Sequence, residues 1–171
     1  MKNVEIKAKC LDPDKIERIL FENGADFKGL DHQTDTYFNV KQGRLKLRQG
    51  NIEKSLIYYD RPNKKGPKQS TFNLYKSGNI EELKPLLESS LGVMVEVKKN
   101  RKIFFLNYVK FHIDEVEELG SFVEIEAGDL EVDRSVEELR QLCDYYMNLL
   151  EIKEENLVNI SYSDMLMKDT L

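Results

Sequence analysis

The sequence predicts an α+β fold of about eight antiparallel strands with a few helices. Three observations carry that expectation. Runs that alternate apolar and polar residues recur along the chain, as in N-V-E-I-K-A-K and R-L-K-L-R, and a period of two belongs to a strand with two unlike faces. Turn chemistry separates the runs, in K-Q-G, Q-G-N and P-N-K-K-G-P. Helical spacing is confined to a few stretches. With 171 residues, 40% apolar and 33% charged, the chain is expected to form one soluble domain over 1–171.

Taken in order, residues 2–9 form the first strand. In L-D-P-D-K-I-E-R-I-L-F-E-N-G, Asp12 can cap a helix and Pro13 suits its first position. Ile16, Ile19 and Leu20 give that helix an apolar stripe, and Gly24 ends it. β-Branched and aromatic content predicts strands over 33–40, 44–48, 55–61 and 69–75. A short helix is expected over 80–89, then strands over 93–99, 102–108, 109–115 and 121–126. Residues 134–150 read as an amphipathic helix carrying Val136, Leu139, Leu142, Cys143, Tyr146 and Leu150, packed outside the sheet or at a subunit contact, so a homodimer is possible. The tail S-Y-S-D-M-L-M predicts a final helical turn. Tyr37, Tyr58, Tyr59, Phe104 and Phe105 are expected in the sheet core.

The function classes narrow at this stage. A net charge of -5 argues against a protein that coats nucleic acid. Cys10 and Cys143 lack metal-ligand spacing and read as buried thiols of a reducing compartment. No signal-like segment or long apolar run is present, so a cytoplasmic location away from membranes is expected.

The polar rows of the strands are unusual when taken together. They hold Glu5, Lys7 and Lys9; Arg44, Lys46 and Arg48; Arg61 beside Tyr59; Lys99 and Arg101; Lys110, His112 and Asp114; and Glu124 and Glu126. A sheet with one wet face would explain them. The other arrangement closes the sheet so that the rows point inward, which requires ligand, water or ions to satisfy them. Converging Lys and Arg suit a polyphosphate, and glutamates among them suit Mg²⁺ or Mn²⁺.

N-V-E-I-K-A-K, H-Q-T-D-T-Y-F, G-R-L-K-L-R, V-K-K-N-R, H-I-D-E-V-E-E-L-G-S-F-V-E-I-E and S-Y-S-D-M-L, in that order over residues 2–167, resemble the CYTH superfamily. That family groups class IV adenylyl cyclases with thiamine triphosphatases and inorganic triphosphatases. The resemblance implies a closed or nearly closed eight-stranded antiparallel β tunnel with helices packed outside. By position it implies Glu5, Glu124, Glu126 and Asp114 as ligands of Mg²⁺ or Mn²⁺, with Asp114 alternatively an orienter of a basic partner. It implies Lys7, Lys46, Arg48, Lys99 and Arg101 as triphosphate ligands, joined by Lys9 and Arg61, with Asn3, Lys68, Lys110 and His112 as further candidates. Two departures stand out. Asn3 replaces the first Glu of E-x-E-x-K, and Q-S-T-F-N-L-Y has Ser70 and Asn73 where triphosphatase members carry an acidic pair. Both weigh more against hydrolysis than against cyclisation.

The expected activity is therefore metal-dependent conversion of ATP to cyclic AMP and pyrophosphate. The alternatives are a triphosphatase acting on tripolyphosphate, thiamine triphosphate or a nucleotide, and a non-catalytic binder of nucleotide or polyphosphate.

Overall fold

Charged rows line the inside of the sheet and apolar rows face out, the inverse of a sheet packed on its own core. The structure, a computed structural model, describes residues 2–60, 65–128 and 132–169. In it β1 (Lys2–Lys9), β2 (Asp26–Phe38), β3 (Arg44–Gln49), β4 (Lys54–Asp60), β5 (Lys68–Lys76), β6 (Val93–Leu106), β7 (Val109–Val116) and β8 (Gly120–Gly128) close an antiparallel barrel. The order around it is β1-β5-β4-β3-β2-β6-β7-β8. The expected eight-stranded tunnel is thus fully closed, which leaves the described sheet without an open edge.

The helices explain the inversion. α1 (Pro13–Glu22) and α3 (Val136–Leu149) lie outside and bury Ile16, Leu20, Leu139, Cys143 and Tyr146 against Val4, Ile6, Ala8, Phe111, Val123 and Ile125. Each such side chain contributes roughly 1.5–3 kcal/mol by leaving water, so the apolar outer wall supplies stability and frees the inner wall for charge. Asp12 caps α1 by accepting from the Lys15 amide, and Ser135 with Glu138 forms a capping box on α3. α2 (Leu83–Leu91), after a 3-10 turn at Ile80–Glu82, joins a second outer cluster with Phe38, Leu47 and Ile80. α4 (Tyr162–Asp169) plugs one end, where Tyr162 and Leu166 pack with Tyr37, Tyr59, Val97 and Phe122. Cys10 and Cys143 are buried and free, as expected. Among the described residues no helix is long and apolar enough to cross a membrane.

Three boundaries differ from the sequence reading. The strands expected at 93–99 and 102–108 are one continuous strand, β6. Its polar centre, N-R-K, resembles a turn, but Arg101 points inward while Asn100 pairs with His32 of β2 on the other face. β2 starts at Asp26, earlier than expected, because this whole segment pairs with β6. The β6–β7 turn begins at Asn107, where Asn107 and Tyr108 take positive φ and cannot continue a strand.

Candidate active site

Strand register puts the inward rows side by side. Across β1, β8 and β7, Lys7 lies opposite Glu124 and Glu124 opposite His112; Glu5 lies opposite Glu126 and Glu126 opposite Lys110. On the other wall, Asp35 of β2 is opposite Arg48 of β3, and Arg101 of β6 opposite Asp114 of β7. These rows enclose a cavity of about 570 Å³. Asn3, Glu5, Lys7, Lys46, Arg48, Lys99, Arg101, Lys110, His112, Glu124 and Glu126 all line it. The β4–β5 wall is different: Ile57 is opposite Leu74 and Tyr59 opposite Phe72, and all four face the same cavity.

The cavity is mixed in charge rather than simply basic. Asp35 takes both ends of the Arg48 guanidinium at 2.9 Å, Lys99 at 2.8 Å and Lys46 at 3.4 Å. Burial alone would push its carboxyl up, but Arg48, Lys99 and Lys46 hold it well below the usual carboxylate range. Arg101 forms a bidentate pair with Asp114, both bonds at 2.7 Å, and reaches Glu124 at 3.2 Å. Glu124 also meets Lys7 at 3.6 Å and His112 Nδ1 at 3.1 Å. Despite burial, Arg101, Lys7 and His112 keep Glu124 ionised well below its ordinary range. Burial, with repulsion from Arg101, lowers His112 and keeps its ring neutral. With Glu124 an obligate acceptor, the His112 proton sits on Nδ1 and Nε2 carries the lone pair. Nε2 is buried and has no hydrogen-bond partner among the described residues.

The donors around Glu126 fit a hard divalent cation. Asn3 Nδ2 donates to Glu126 at 3.0 Å, while Asn3 Oδ1 is buried without a hydrogen-bond partner. A buried, unsatisfied carbonyl oxygen costs about 1–3 kcal/mol, and Mg²⁺ or Mn²⁺ would satisfy it alongside Glu126 and its cross-strand neighbour Glu5. Among the described residues no three His, Cys, Asp or Glu side chains form a ready-made metal cage.

Three expected site residues fall elsewhere. Asp114 is not placed to coordinate: Arg101 occupies both of its oxygens and the Tyr162 hydroxyl adds a third bond at 2.7 Å. These bonds have the geometry of an orienter of a basic partner. Lys9, at the end of β1, is exposed and does not line the cavity. Lys68 is buried but donates to the Asn159 carbonyl at 2.7 Å, at the plugged end. Arg61 lies outside the described residues. Tyr37 and Tyr59, expected in the sheet core, are buried yet line the cavity.

Three residues in the site were not legible in the sequence. Asp35 sits in the H-Q-T-D-T-Y-F stretch, its only signal, and Glu53 in the β3–β4 turn, where charge is commonplace. Tyr162 passes its ring beneath Lys7, with the ammonium 3.9 Å from the ring centre; the S-Y-S-D-M-L motif was its only signal.

Comparison with known proteins supplies independent findings. A family model described as CYTH domain matches residues 1–162. No curated protein matches. Among solved structures, the PH1012 protein of Pyrococcus horikoshii OT3 is 25% identical, with a TM-score of 0.80 over 95% of this chain and 98% of its own. A Vibrio parahaemolyticus protein named as a candidate adenylate cyclase is 17% identical, with a TM-score of 0.78 over 96% and 97%. HpAC1 from Hippeastrum, named as a candidate adenylyl cyclase with a dominant triphosphatase activity, is 12% identical, with a TM-score of 0.58 over 98% and 95%. At the latter two identities the likeness is one of fold.

Proposed function

The chain belongs to the CYTH domain family, and from that premise we propose that it is an enzyme processing a nucleoside triphosphate in the barrel cavity, converting ATP to cyclic AMP and pyrophosphate. The support is one juxtaposition: Lys7, Lys46, Arg48, Lys99, Arg101 and Lys110 converge on a cavity whose opposite wall is Ile57, Phe72 and Leu74. The cations suit a chain of phosphates. The half-buried apolar wall suits an organic group, since an inorganic polyphosphate would leave it against water.

Mg²⁺ or Mn²⁺ held by Glu5, Glu126 and Asn3 Oδ1 would polarise the phosphate under attack and neutralise part of the triphosphate charge. His112 Nε2, left with the lone pair because Nδ1 bonds Glu124 and kept unprotonated by burial and Arg101, would accept the proton of the attacking ribose 3′-hydroxyl. The new oxygen–phosphorus bond forms at the α-phosphate, and the bond to the bridging oxygen of pyrophosphate breaks. Lys7 and Arg101, fixed by Glu124 and Asp114, would stabilise the charge gathering on that leaving group. Hydrolysis of a triphosphate would use the same groups with water in place of the hydroxyl.

Product identity decides between these reactions. Purified protein with Mg²⁺ or Mn²⁺ is given ATP and, separately, tripolyphosphate. Cyclic AMP with pyrophosphate is expected from ATP. Phosphate release without a cyclic product would replace the cyclase reading with the hydrolytic one, and binding of both compounds without turnover would make the protein a binder.

Lys99 predicts a pH signature. Burial, reinforced by Arg48, Arg101 and Lys46, outweighs the attraction of Asp35 and lowers its ammonium from 10.5 to about 7. Above pH 7 the unfolded chain holds this proton and the folded one does not, so the Lys99 contribution to stability rises with pH from about 7 to about 10.5. A bound triphosphate would favour the charged form. Binding is therefore expected to take up as much as about one proton near pH 8 and to weaken above that pH. Calorimetry in buffers of different ionisation heat measures the uptake; a Lys99→Met variant with unchanged uptake would rule Lys99 out as its source.

A further inference from the structure

The β3–β4 turn places a carboxylate across the cavity on the cations assigned to phosphate. Glu53 accepts from Arg48 Nη1 at 3.2 Å, from Lys110 on the far strand β7 at 2.5 Å, and from Gln33 Nε2 at 3.0 Å. Its side chain lines the cavity and is 25% exposed. Although burial opposes the charge, Arg48 and Lys110 hold the carboxyl far below its ordinary range, so Glu53 is an anion at all working pH values.

The turn that carries it is fixed independently of those contacts. Asp31, fully buried, accepts from the backbone amides of Ile52 at 2.8 Å and Glu53 at 2.9 Å. Asn51 bonds the His32 amide and the Leu30 carbonyl, and the Gly50 amide bonds the Glu53 carbonyl. A Cβ on Gly50 would come within 2.5 Å of Asp31 Oδ1, so the turn closes tightly on that carboxylate. The backbone is pinned, and the Glu53 side chain alone spans to Lys110.

We infer that Glu53 is an internal competitor, an anion seated on Arg48 and Lys110 that an incoming polyanion must displace, and hence a specificity-determining residue of this site. The inference rests on reading the cavity as a triphosphate site. The two oxygens of the Glu53 carboxylate already hold both cations, so an orthophosphate taking its place gains little beyond the two bonds it displaces. A chain of phosphates also offers oxygens to Lys7, Lys46, Lys99 and Arg101 in the same cavity. The displacement cost therefore excludes weakly held anions such as orthophosphate and falls within the reach of a triphosphate.

Titration calorimetry with tripolyphosphate and with orthophosphate, both without metal, tests this on the wild type, Glu53→Gln and Glu53→Ala. Removing the competitor is expected to tighten tripolyphosphate binding on the order of tenfold or more and to bring orthophosphate binding into the measurable range. A purely structural Glu53 would leave affinity unchanged or weaken it, and either result in a wild type that binds tripolyphosphate overturns the inference. If no form binds tripolyphosphate, with or without Mg²⁺, the triphosphate reading fails and takes this inference with it. Should Glu53→Ala fail to fold, the isosteric Glu53→Gln decides the question.

Discussion

Glu126→Gln is expected to lower metal-dependent turnover at least about a hundredfold while the protein stays folded. The amide keeps the shape of the side chain and its place beside Asn3, and its N–H can reach the buried Asn3 Oδ1 that now lacks a partner. What it removes is the negative charge proposed to hold the cation with Glu5. Lys110, the strongest of the charges that keep Glu126 ionised, still has Glu53. Product formation per site under saturating Mg²⁺ measures the effect, with thermal unfolding as the check on folding. A variant that turns over at the wild-type rate would remove Glu126 from the metal assignment.

Asp35→Asn is expected to destabilise the fold by about 3–5 kcal/mol at pH 7. Asp35 is almost wholly buried and is the shared anion of Arg48, Lys99 and Lys46. Its loss leaves like charges crowded inside the barrel, with Glu53 the one carboxylate among the described residues still touching Arg48. Urea unfolding midpoints at constant m measure the loss, and tripolyphosphate is expected to restore part of it by supplying the missing negative charge. The acid limb provides a second check. Because the folded-state pKa of Asp35 is depressed, its contribution is present above the usual carboxylate value of 3.8 and disappears as pH falls below it. The variant should therefore show a flatter acid limb than the wild type. A stability change under about 1 kcal/mol would mean that water or Glu53 neutralises the cluster without Asp35.

Both outcomes depend on the same feature, a cavity in which most cations already have an anion. The rows of Lys and Arg were plain in the alternating strands, and reading them alone gives a basic tunnel. Their partners were not plain. Asp35 and Glu53 occupy positions where an acidic residue is unremarkable; the pairing of β2 with β6 brings Asp35 to Lys99, 64 residues away, and the barrel brings Glu53 across to Lys110, 57 residues away. The resemblance implies Asp114 as a metal ligand or an orienter of a basic partner; its occupation by Arg101 and Tyr162 is set by β6 and α4. Lys9 has the right period but sits one step beyond the cavity, where β1 leaves the enclosed part of the barrel.

Local sequence determined what each strand offers to its two faces. Period-two alternation is a property of the extended backbone, so Val4, Ile6 and Ala8 had to oppose Asn3, Glu5 and Lys7 whatever the rest of the chain did. The helix caps at Asp12 and Ser135 and the motifs that resemble the CYTH family were legible for the same reason, since neighbours in sequence suffice to form them. Which face became the inside was decided by tertiary structure. α1 and α3 cover the apolar rows from without, and eight strands joined edge to edge turn the charged rows toward one another. The pairing of those charges depends on register around the whole barrel and on a plug from the far end of the chain, and Coulombic partners are set by distance in space rather than by distance along the sequence.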